Sequence, residues 1–107
     1  MTSSDLGELE LFTLLAVHHL GGDATGLAIR DEIRRRTGRA VSVGSGYATL
    51  GRLTDKGLLR VRIEPARPQQ GGRARKRVQL TAAGVRALGE SVQSLNKMLD
   101  GIVLGSR

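Results

Sequence analysis

The chain of 107 residues contains no cysteine, and its only phenyl, phenol or indole rings are those of Phe12 and Tyr47. Without cysteine, the protein can form neither a disulfide nor a metal site with thiolate ligands. Two such rings are also too few for a surface that stacks several nucleic-acid bases. The core must therefore be built from Leu, Val, Ile and Ala, and a chain of this length has room for one modest domain.

Long apolar runs are missing as well. No stretch approaches the roughly 18 apolar residues of a membrane span. No cationic leader followed by an apolar segment and a cleavage site is present in the sequence. We therefore expect no membrane partner and a cytoplasmic location.

Groups suited to catalysis or metal binding are scarce. His18 and His19 are adjacent, so they point about 100° apart on a helix and cannot chelate one ion together. No pair of carboxylates has a spacing that suggests a shared site. We expect no enzymatic activity, no catalytic residue, no bound metal and no cofactor.

Positive charge is abundant and unevenly placed, with a formal net charge of +7. Residues 1–29 carry four acidic and no basic residues (−4), residues 30–77 carry fourteen basic and four acidic residues (+10), and residues 78–107 carry three and two (+1). A basic middle between acidic or neutral ends favours a site for a polyanion. An Arg-rich surface without a specific partner is the alternative at this point.

The first half of the chain predicts two helices before a Gly-containing turn. The first spans residues 5–20 and is apolar on more than one side, which indicates burial against the core and against a second subunit. The second begins near Thr25 and ends before Gly38, with Leu27 among its apolar positions. Glu32 belongs to its mostly wet face.

Residues 42–59 predict the helix around which the rest is organised. Ser42 is a suitable N-cap, Leu50 and Leu53 share a buried face, and Gly57 can take the positive φ that ends a helix. The short connection from the preceding helix is typical of a helix-turn-helix. The opposite face has side chains suited to phosphates and base edges, namely Ser45, Tyr47, Ala48, Thr49, Arg52 and Lys56.

A β-hairpin is predicted next. Leu59, Val61 and Ile63 alternate with polar residues, which indicates a half-buried strand. Pro and paired Gly at 65–72 interrupt it, and a second strand is predicted over 73–80. The loop is flanked by cations that could contact phosphates or a minor groove. These cations are Arg67, Arg73, Arg75 and Lys76.

The last predicted helix follows Thr81 and has a heptad seam. The seam residues are Val85, Leu88, Val92, Leu95, Leu99 and Ile102, spaced 3, 4, 3, 4 and 3 residues apart. A helix with such a seam on so small a domain predicts pairing with a second copy of the chain. The simplest partner is the first helix of that second copy. The alternative is that the seam packs on its own domain.

Five short motifs, taken in order, resemble the PadR family of transcriptional regulators across nearly the whole chain. They are Leu6-Gly7-Glu8-Leu9-Glu10, Gly26-Leu27-Ala28-Ile29, the run from Val41 to Leu50 with Arg52-Leu53 and Gly57-Leu58-Leu59, the wing residues Gly71 to Lys76, and the junction Leu80 to Gly84. The resemblance implies a winged-helix dimer that represses transcription, with a C-terminal helix paired against the partner's first helix. Because one predicted helix follows the wing, the chain resembles the short-tailed subgroup of the family.

The sequence departs from that family at three positions, one of which is Gly51, a second glycine inside the predicted DNA-reading helix. Gly46 stands where the family often has a larger apolar residue, and Leu27 stands where many relatives carry Tyr, which removes one candidate phosphate contact. Relatives that bind planar drugs place aromatic residues at the dimer interface, and here only Phe12 could serve. A small-molecule effector of unspecified identity stays open as a further partner.

We therefore predict a mostly α protein with a small β-hairpin, in which a winged helix-turn-helix domain (1–80) and a dimerisation helix (81–107) form one compact unit. The predicted DNA contacts are Thr25, Ser42, Gly44, Ser45, Tyr47, Ala48, Thr49, Arg52, Lys56, Arg73, Arg75 and Lys76. The predicted dimer contacts are Leu6, Leu9, Phe12, Val85, Leu88, Val92, Leu95, Leu99 and Ile102.

The predicted function is that of a sequence-specific DNA-binding repressor that acts as a homodimer on a double-stranded operator. The alternative is a winged-helix interaction module whose basic face binds an acidic protein.

Overall fold

The computed structural model describes residues 6–65 and 75–102. Its elements, in chain order, are α1 (Glu8–Leu20), a 3-10 turn (Gly21–Asp23), α2 (Gly26–Thr37), α3 (Val43–Asp55), β1 (Leu59–Glu64), β2 (Arg75–Leu80) and α4 (Ala82–Leu99). Four helices and a two-stranded antiparallel hairpin confirm the predicted fold class. None of the helices in these two ranges is long and apolar enough to cross a membrane.

Local capping explains where three of the helices begin. Thr25, Ser42 and Thr81 each accept a side-chain hydrogen bond from the backbone N–H three residues further on, at 3.0–3.2 Å. Such bonds satisfy N–H groups that the first turn of a helix leaves free. Gly38 and Gly57 have φ values of 79° and 77°, as expected for residues that end α2 and follow α3.

The first helix begins later than predicted. Gly7 is its N-cap, and the Gly7 N–H donates to Oε1 of Glu10 at 3.0 Å. Asp5, where the helix was predicted to begin, lies outside the described residues. Burial of Glu10 and Thr13 on α1, beside the apolar Leu14, shows that one face of this helix combines polar and apolar contacts with the domain.

The hairpin is apolar only near its base. Leu59 lies opposite Leu80 in the register and is buried. The Val78 N–H donates to the Ala24 carbonyl oxygen at 2.8 Å, which ties β2 to the residue before the cap of α2. Ile63, further out on β1, is 62% exposed, so the half-buried pattern predicted for this strand holds only at its first residue. The predicted loop and Arg73 lie outside the described residues.

Aliphatic side chains from all four α-helices and both strands meet in one core. Its buried members are Leu14, Ala16, Val17, Ala24, Ile29, Ile33, Val41, Leu53, Leu59, Val78 and Leu88. Two expectations for α2 are wrong. Leu27 is 63% exposed, although it was assigned to the apolar face, and Glu32 is buried, although it was assigned to the wet face. Leu27 lies four and seven residues before Asp31 and Arg34, so it shares the exposed side of α2 with them.

The start of α4 is fixed by a close backbone contact. The Thr81 N–H donates to the Leu58 carbonyl oxygen at 3.1 Å, and its hydroxyl donates to the Gly57 carbonyl oxygen at 2.6 Å. A Cβ atom on Gly84 would lie 2.1 Å from the Leu58 carbonyl oxygen. Glycine at this position therefore lets α4 pass directly over the backbone that leads into β1.

The seam of α4 divides into a buried and an exposed part. Leu88 is buried in the core of its own chain, so its assignment to the dimer interface is wrong. Leu95 and Leu99 are 51% and 40% exposed. The helix ends at Leu99, and Gly101, with φ of 80°, precedes Ile102. Ile102 therefore does not continue the helical seam, contrary to the prediction.

Candidate nucleic-acid interface

The outer face of α3 has short side chains. Ser45, Ala48 and Gly51 are exposed, and a Cβ atom on Gly44 or Gly51 would meet no protein atom within 4 Å. A helix with so little bulk on one side can bring its backbone close to a flat or grooved surface. The major groove of B-DNA is wide enough to admit such a helix.

Tyr47 stands out from this face. It is 63% exposed, so it does not belong to the core, although its spacing of three residues from Leu50 would also fit a buried position. Its ring lies against α2 at Gly26, where a Cβ atom would be 3.6 Å from Cε1 of Tyr47. The ring therefore rests on the start of α2, while much of the side chain faces solvent.

Thr49 has to be removed from the predicted DNA contacts. It is 1% exposed, and its hydroxyl donates to the Ser45 carbonyl oxygen at 2.8 Å. The Thr49 hydroxyl oxygen also accepts from Nη2 of Arg52 at 3.2 Å. The helical wheel placed Thr49 beside Ala48, but the neighbouring elements cover it, which the sequence alone does not reveal.

Arg52 and Lys56 share a buried partner that the sequence did not indicate. Lys56 Nζ donates to both carboxylate oxygens of Glu10, at 3.0 and 3.1 Å, and Nε of Arg52 donates to Oε2 at 3.4 Å. The Glu10 side chain is 9% exposed, whereas those of Arg52 and Lys56 are 55% and 44% exposed. Glu10 on α1 therefore sets the direction of two cations that still face solvent on α3.

Opposing effects act on the pKa of Glu10. Burial alone raises it, but the hydrogen bond from Gly7 N–H and the interactions with Lys56 and Arg52 together lower the pKa below its ordinary value. The carboxylate is thus charged at neutral pH. In the sequence, Glu10 could be recognised only as an acid near the positive end of α1.

Thr25 and Ser42 are placed at the starts of α2 and α3. Each hydroxyl oxygen accepts a capping bond, which leaves its own proton free to be donated. Ser42 is exposed and Thr25 is half-buried. Both hydroxyls could therefore donate to a phosphate without giving up the cap.

The wing has a basic outer strand with one exception. Arg75 and Lys76 are exposed, as a phosphate contact requires. Arg77 lies two residues after the exposed Arg75 on the same strand, but its side chain is only 17% exposed. It donates to Glu64 at 3.0 Å, to Asp23 at 3.3 Å and to the backbone of the 3-10 turn. Arg77 therefore fastens the hairpin to the body of the domain.

The predicted dimer contacts on α1 are half-buried in this single chain. Leu6, Leu9 and Phe12 pack on the edge of the core and keep part of their surface free. Phe12 also lines a small apolar groove of about 130 Å³ between α1 and α2, together with Leu15 and Ile33. On α4, Val85 is exposed and Val92 is half-buried.

The sequence profile of the transcriptional regulator PadR-like family matches residues 14–90, which are most of the chain. The chain belongs to the PadR-like family. It is therefore a DNA-binding transcriptional regulator, from a family of regulators rather than of enzymes. The resemblance carried by the sequence motifs is confirmed. No curated protein sequence matches this PadR-like chain.

Solved structures share the fold of this PadR-like chain. A PadR family transcription regulator from hypervirulent Clostridium difficile is 22% identical, with a TM-score of 0.72 over 88% of this chain and 96% of that one. The winged-helix DNA-binding protein from STIV is 22% identical, with a TM-score of 0.68 over 87% and 92%. BpsR from Bordetella bronchiseptica, whose DNA binding is regulated by 6-hydroxynicotinic acid, is 19% identical, with a TM-score of 0.66 over 96% and 72%.

Proposed function

We propose that this PadR-like protein is a homodimeric repressor that recognises a specific operator by placing α3 in the major groove. The observation that carries the proposal is the outer face of α3, where exposed short side chains lie between Tyr47 at one end and the cations Arg52 and Lys56 at the other. Short residues permit close approach of the helix, and the polar residues at its ends can contact the strands on either side of a groove.

Each part of this face has a proposed task. The Tyr47 hydroxyl donates to a phosphate, and Ser45 and Ala48 approach the base edges, where Ala48 fits a thymine methyl group. Arg52 reads a guanine or holds a phosphate. The Arg52 side chain is 55% exposed, so its guanidinium can reach a bound duplex.

The wing is proposed to add affinity more than specificity. Arg75 and Lys76 are exposed on β2, and Arg73 precedes them in the sequence. Contacts of such cations with phosphates strengthen binding to all DNA sequences and make it depend on salt.

A homodimer is supported by apolar surface that a single chain leaves exposed. Leu95, Met98 and Leu99 on α4 are 40–75% exposed, and α1 keeps part of Phe12 uncovered. Pairing α4 of one protomer with α1 of the other would cover both. A two-fold dimer presents two copies of α3, so the proposed operator is a palindrome with half-sites about one helical turn apart.

A small-molecule effector that binds beside Phe12 is also proposed. The groove beside Phe12 has a volume of about 130 Å³, below the roughly 300 Å³ at which pockets for drug-sized ligands begin. A drug-sized effector would therefore need additional walls from a second protomer.

The operator is the test of the proposal. DNA fragments bound by the protein in cells would be sequenced, and a duplex with the enriched sequence would be used in a gel shift with mixed-sequence competitor. We expect an enriched palindrome and a shift that survives excess competitor. Binding that competitor removes completely would contradict sequence specificity and would favour the alternative, in which the basic face binds an acidic protein.

A further inference from the structure

Arg30 on α2 has an unusual place beside the start of α3. Its side chain is half-buried, and its Nε donates to the Val41 carbonyl oxygen at 3.1 Å, just before the cap of α3. Within the described ranges, no carboxylate lies close enough to form an ion pair with Arg30. One N–H of the guanidinium is therefore engaged by the backbone, and its terminal nitrogens keep their donors.

Gly46 provides the space for this side chain. A Cβ atom on Gly46 would lie 3.0 Å from Cδ and 3.3 Å from Cγ of Arg30, closer than a comfortable contact. The aliphatic part of Arg30 thus crosses α3 where a side chain of residue 46 would stand. Glycine is less favourable than alanine inside a helix. The sequence of α3 therefore has a residue of low helix propensity at the point where Arg30 passes.

The neighbours of Gly46 belong to the proposed DNA-binding face. Ser45 and Tyr47 flank it in the sequence and are both exposed. The Val41 carbonyl that holds Arg30 comes one residue before Ser42, another proposed contact. The guanidinium is therefore anchored beside the end of α3 that enters the groove.

We propose that Arg30 is a further DNA-binding residue, whose terminal nitrogens donate to a backbone phosphate beside the start of α3. This inference rests on the proposed function and adds a contact to it. Arginine is suited to the task because its planar fork can donate two parallel hydrogen bonds to one phosphate. Holding Nε on a backbone carbonyl fixes the direction of the fork before DNA arrives.

The first measurement is the salt dependence of binding to a mixed-sequence duplex, followed by fluorescence anisotropy. Arg30→Gln removes one proposed phosphate contact, so the slope of log K against log salt should become shallower by about 0.9. Arg86→Gln is the matched control. Arg86 is exposed on α4 and forms no ion pair within the described ranges, so this variant loses the same charge and should keep the parent slope.

The second measurement tests the role of Gly46 through a double-mutant cycle. Gly46→Ala pushes the Arg30 side chain aside while leaving its charge in place. We expect a melting temperature no lower than that of the parent, because alanine favours a helix. We also expect a loss of affinity that disappears when Gly46→Ala is made in the Arg30→Gln background.

The two measurements have distinct contradicting results. An unchanged slope for Arg30→Gln, or a Gly46→Ala loss that is equally large without Arg30, would overturn the inference. If Arg30→Gln does not fold, the Gly46→Ala variant with Arg30 intact tests the inference alone. An affinity for DNA equal to that of the parent would then overturn the inference. If the Arg30 inference is overturned but Tyr47→Phe still weakens DNA binding, the proposed function stands. If the parent protein binds no DNA, both the Arg30 inference and the proposed function are overturned.

Discussion

At the scale of single residues, the carboxylate of Glu32 links the charge of α2 to acid stability. Nη2 of Arg35 donates to it at 2.7 Å, and Nε of Arg36 donates to its other oxygen. The bonds from Arg36 and Arg35 lower the pKa of Glu32 from an ordinary value of 4.5 to about 2. The folded chain therefore holds this carboxylate in its charged form at a pH where the unfolded chain already binds a proton.

Acid should remove this contribution to stability. A group with a lowered native pKa stabilises the fold above its unfolded pKa, and the stabilisation is lost as the pH falls through the native value. We expect the free energy of unfolding to fall between pH 4.5 and about 2, and to fall less steeply in Glu32→Gln. Denaturant titrations across this range measure it. Parallel curves for the variant and the parent would show that the two arginines do not stabilise the native carboxylate.

Glu10 acts at the same scale on DNA binding. Because its buried carboxylate holds Lys56 and Arg52, Glu10→Gln should release two cations towards phosphates. We expect a salt slope steeper by up to about 0.9 for each released cation and a loss of about 1 kcal/mol in stability, since both partners are half-exposed. Anisotropy on a mixed-sequence duplex and denaturant titration measure the two effects. A slope equal to that of the parent would mean that Glu10 only joins α1 to α3.

At the scale of elements, the contact between α4 and the start of β1 depends on Gly84. In Gly84→Ala, the new methyl group would lie 2.1 Å from the Leu58 carbonyl oxygen. No rotamer relieves a clash with backbone, so α4 must shift and we expect a loss of about 2–3 kcal/mol. Gly89→Ala is the control on the same helix, since a Cβ atom there meets nothing within 4 Å, and it should gain up to about 1 kcal/mol. Equal melting temperatures for both variants would refute this account of the contact.

Some features of the helices could be predicted from the sequence and others could not. Helix starts at Thr25, Ser42 and Thr81 were predictable because a cap depends on residues three positions away. The order of the helices and strands could be predicted from the spacing of apolar residues along the chain and from the residues that favour turns. Burial of Thr49 and Glu32 was not predictable, because it depends on which distant elements cover each helix.

In the seam of α4, a correct heptad pattern led to a wrong assignment of one residue to the dimer interface. The heptad spacing is real, but Leu88 satisfies it by packing into its own core. The close passage at Gly84 brings the first turns of α4 onto the domain and buries Leu88, whereas the seam residues Val85, Leu95 and Leu99 are exposed. The partner of Arg52 and Lys56 was missed because Glu10 lies more than forty residues away in the chain.

At the scale of the whole molecule, the proposed dimer depends on the exposed end of α4. Leu95 and Leu99 are exposed in one chain, so replacing both with Glu should leave the protomer folded while placing charge in the proposed interface. We expect a helical monomer by sedimentation and circular dichroism, with weaker binding to a palindromic operator. Gln93→Glu, on the opposite side of α4, should remain dimeric. A Leu95→Glu, Leu99→Glu double variant that sediments as a folded dimer would contradict the proposed interface.

The central claim is that the outer face of α3 binds the operator, and the affinity of Tyr47→Phe for that operator tests it most directly. Tyr47 is exposed and lies outside the core, so removing one oxygen should leave the melting temperature unchanged. We expect a loss of about 1 kcal/mol, or roughly fivefold in affinity, for one hydrogen bond to a phosphate. Arg52→Ala, measured beside it, should lose about 1–3 kcal/mol if it reads a base. Parental affinity in both variants, with the fold intact, would contradict the claim that this face of α3 binds DNA.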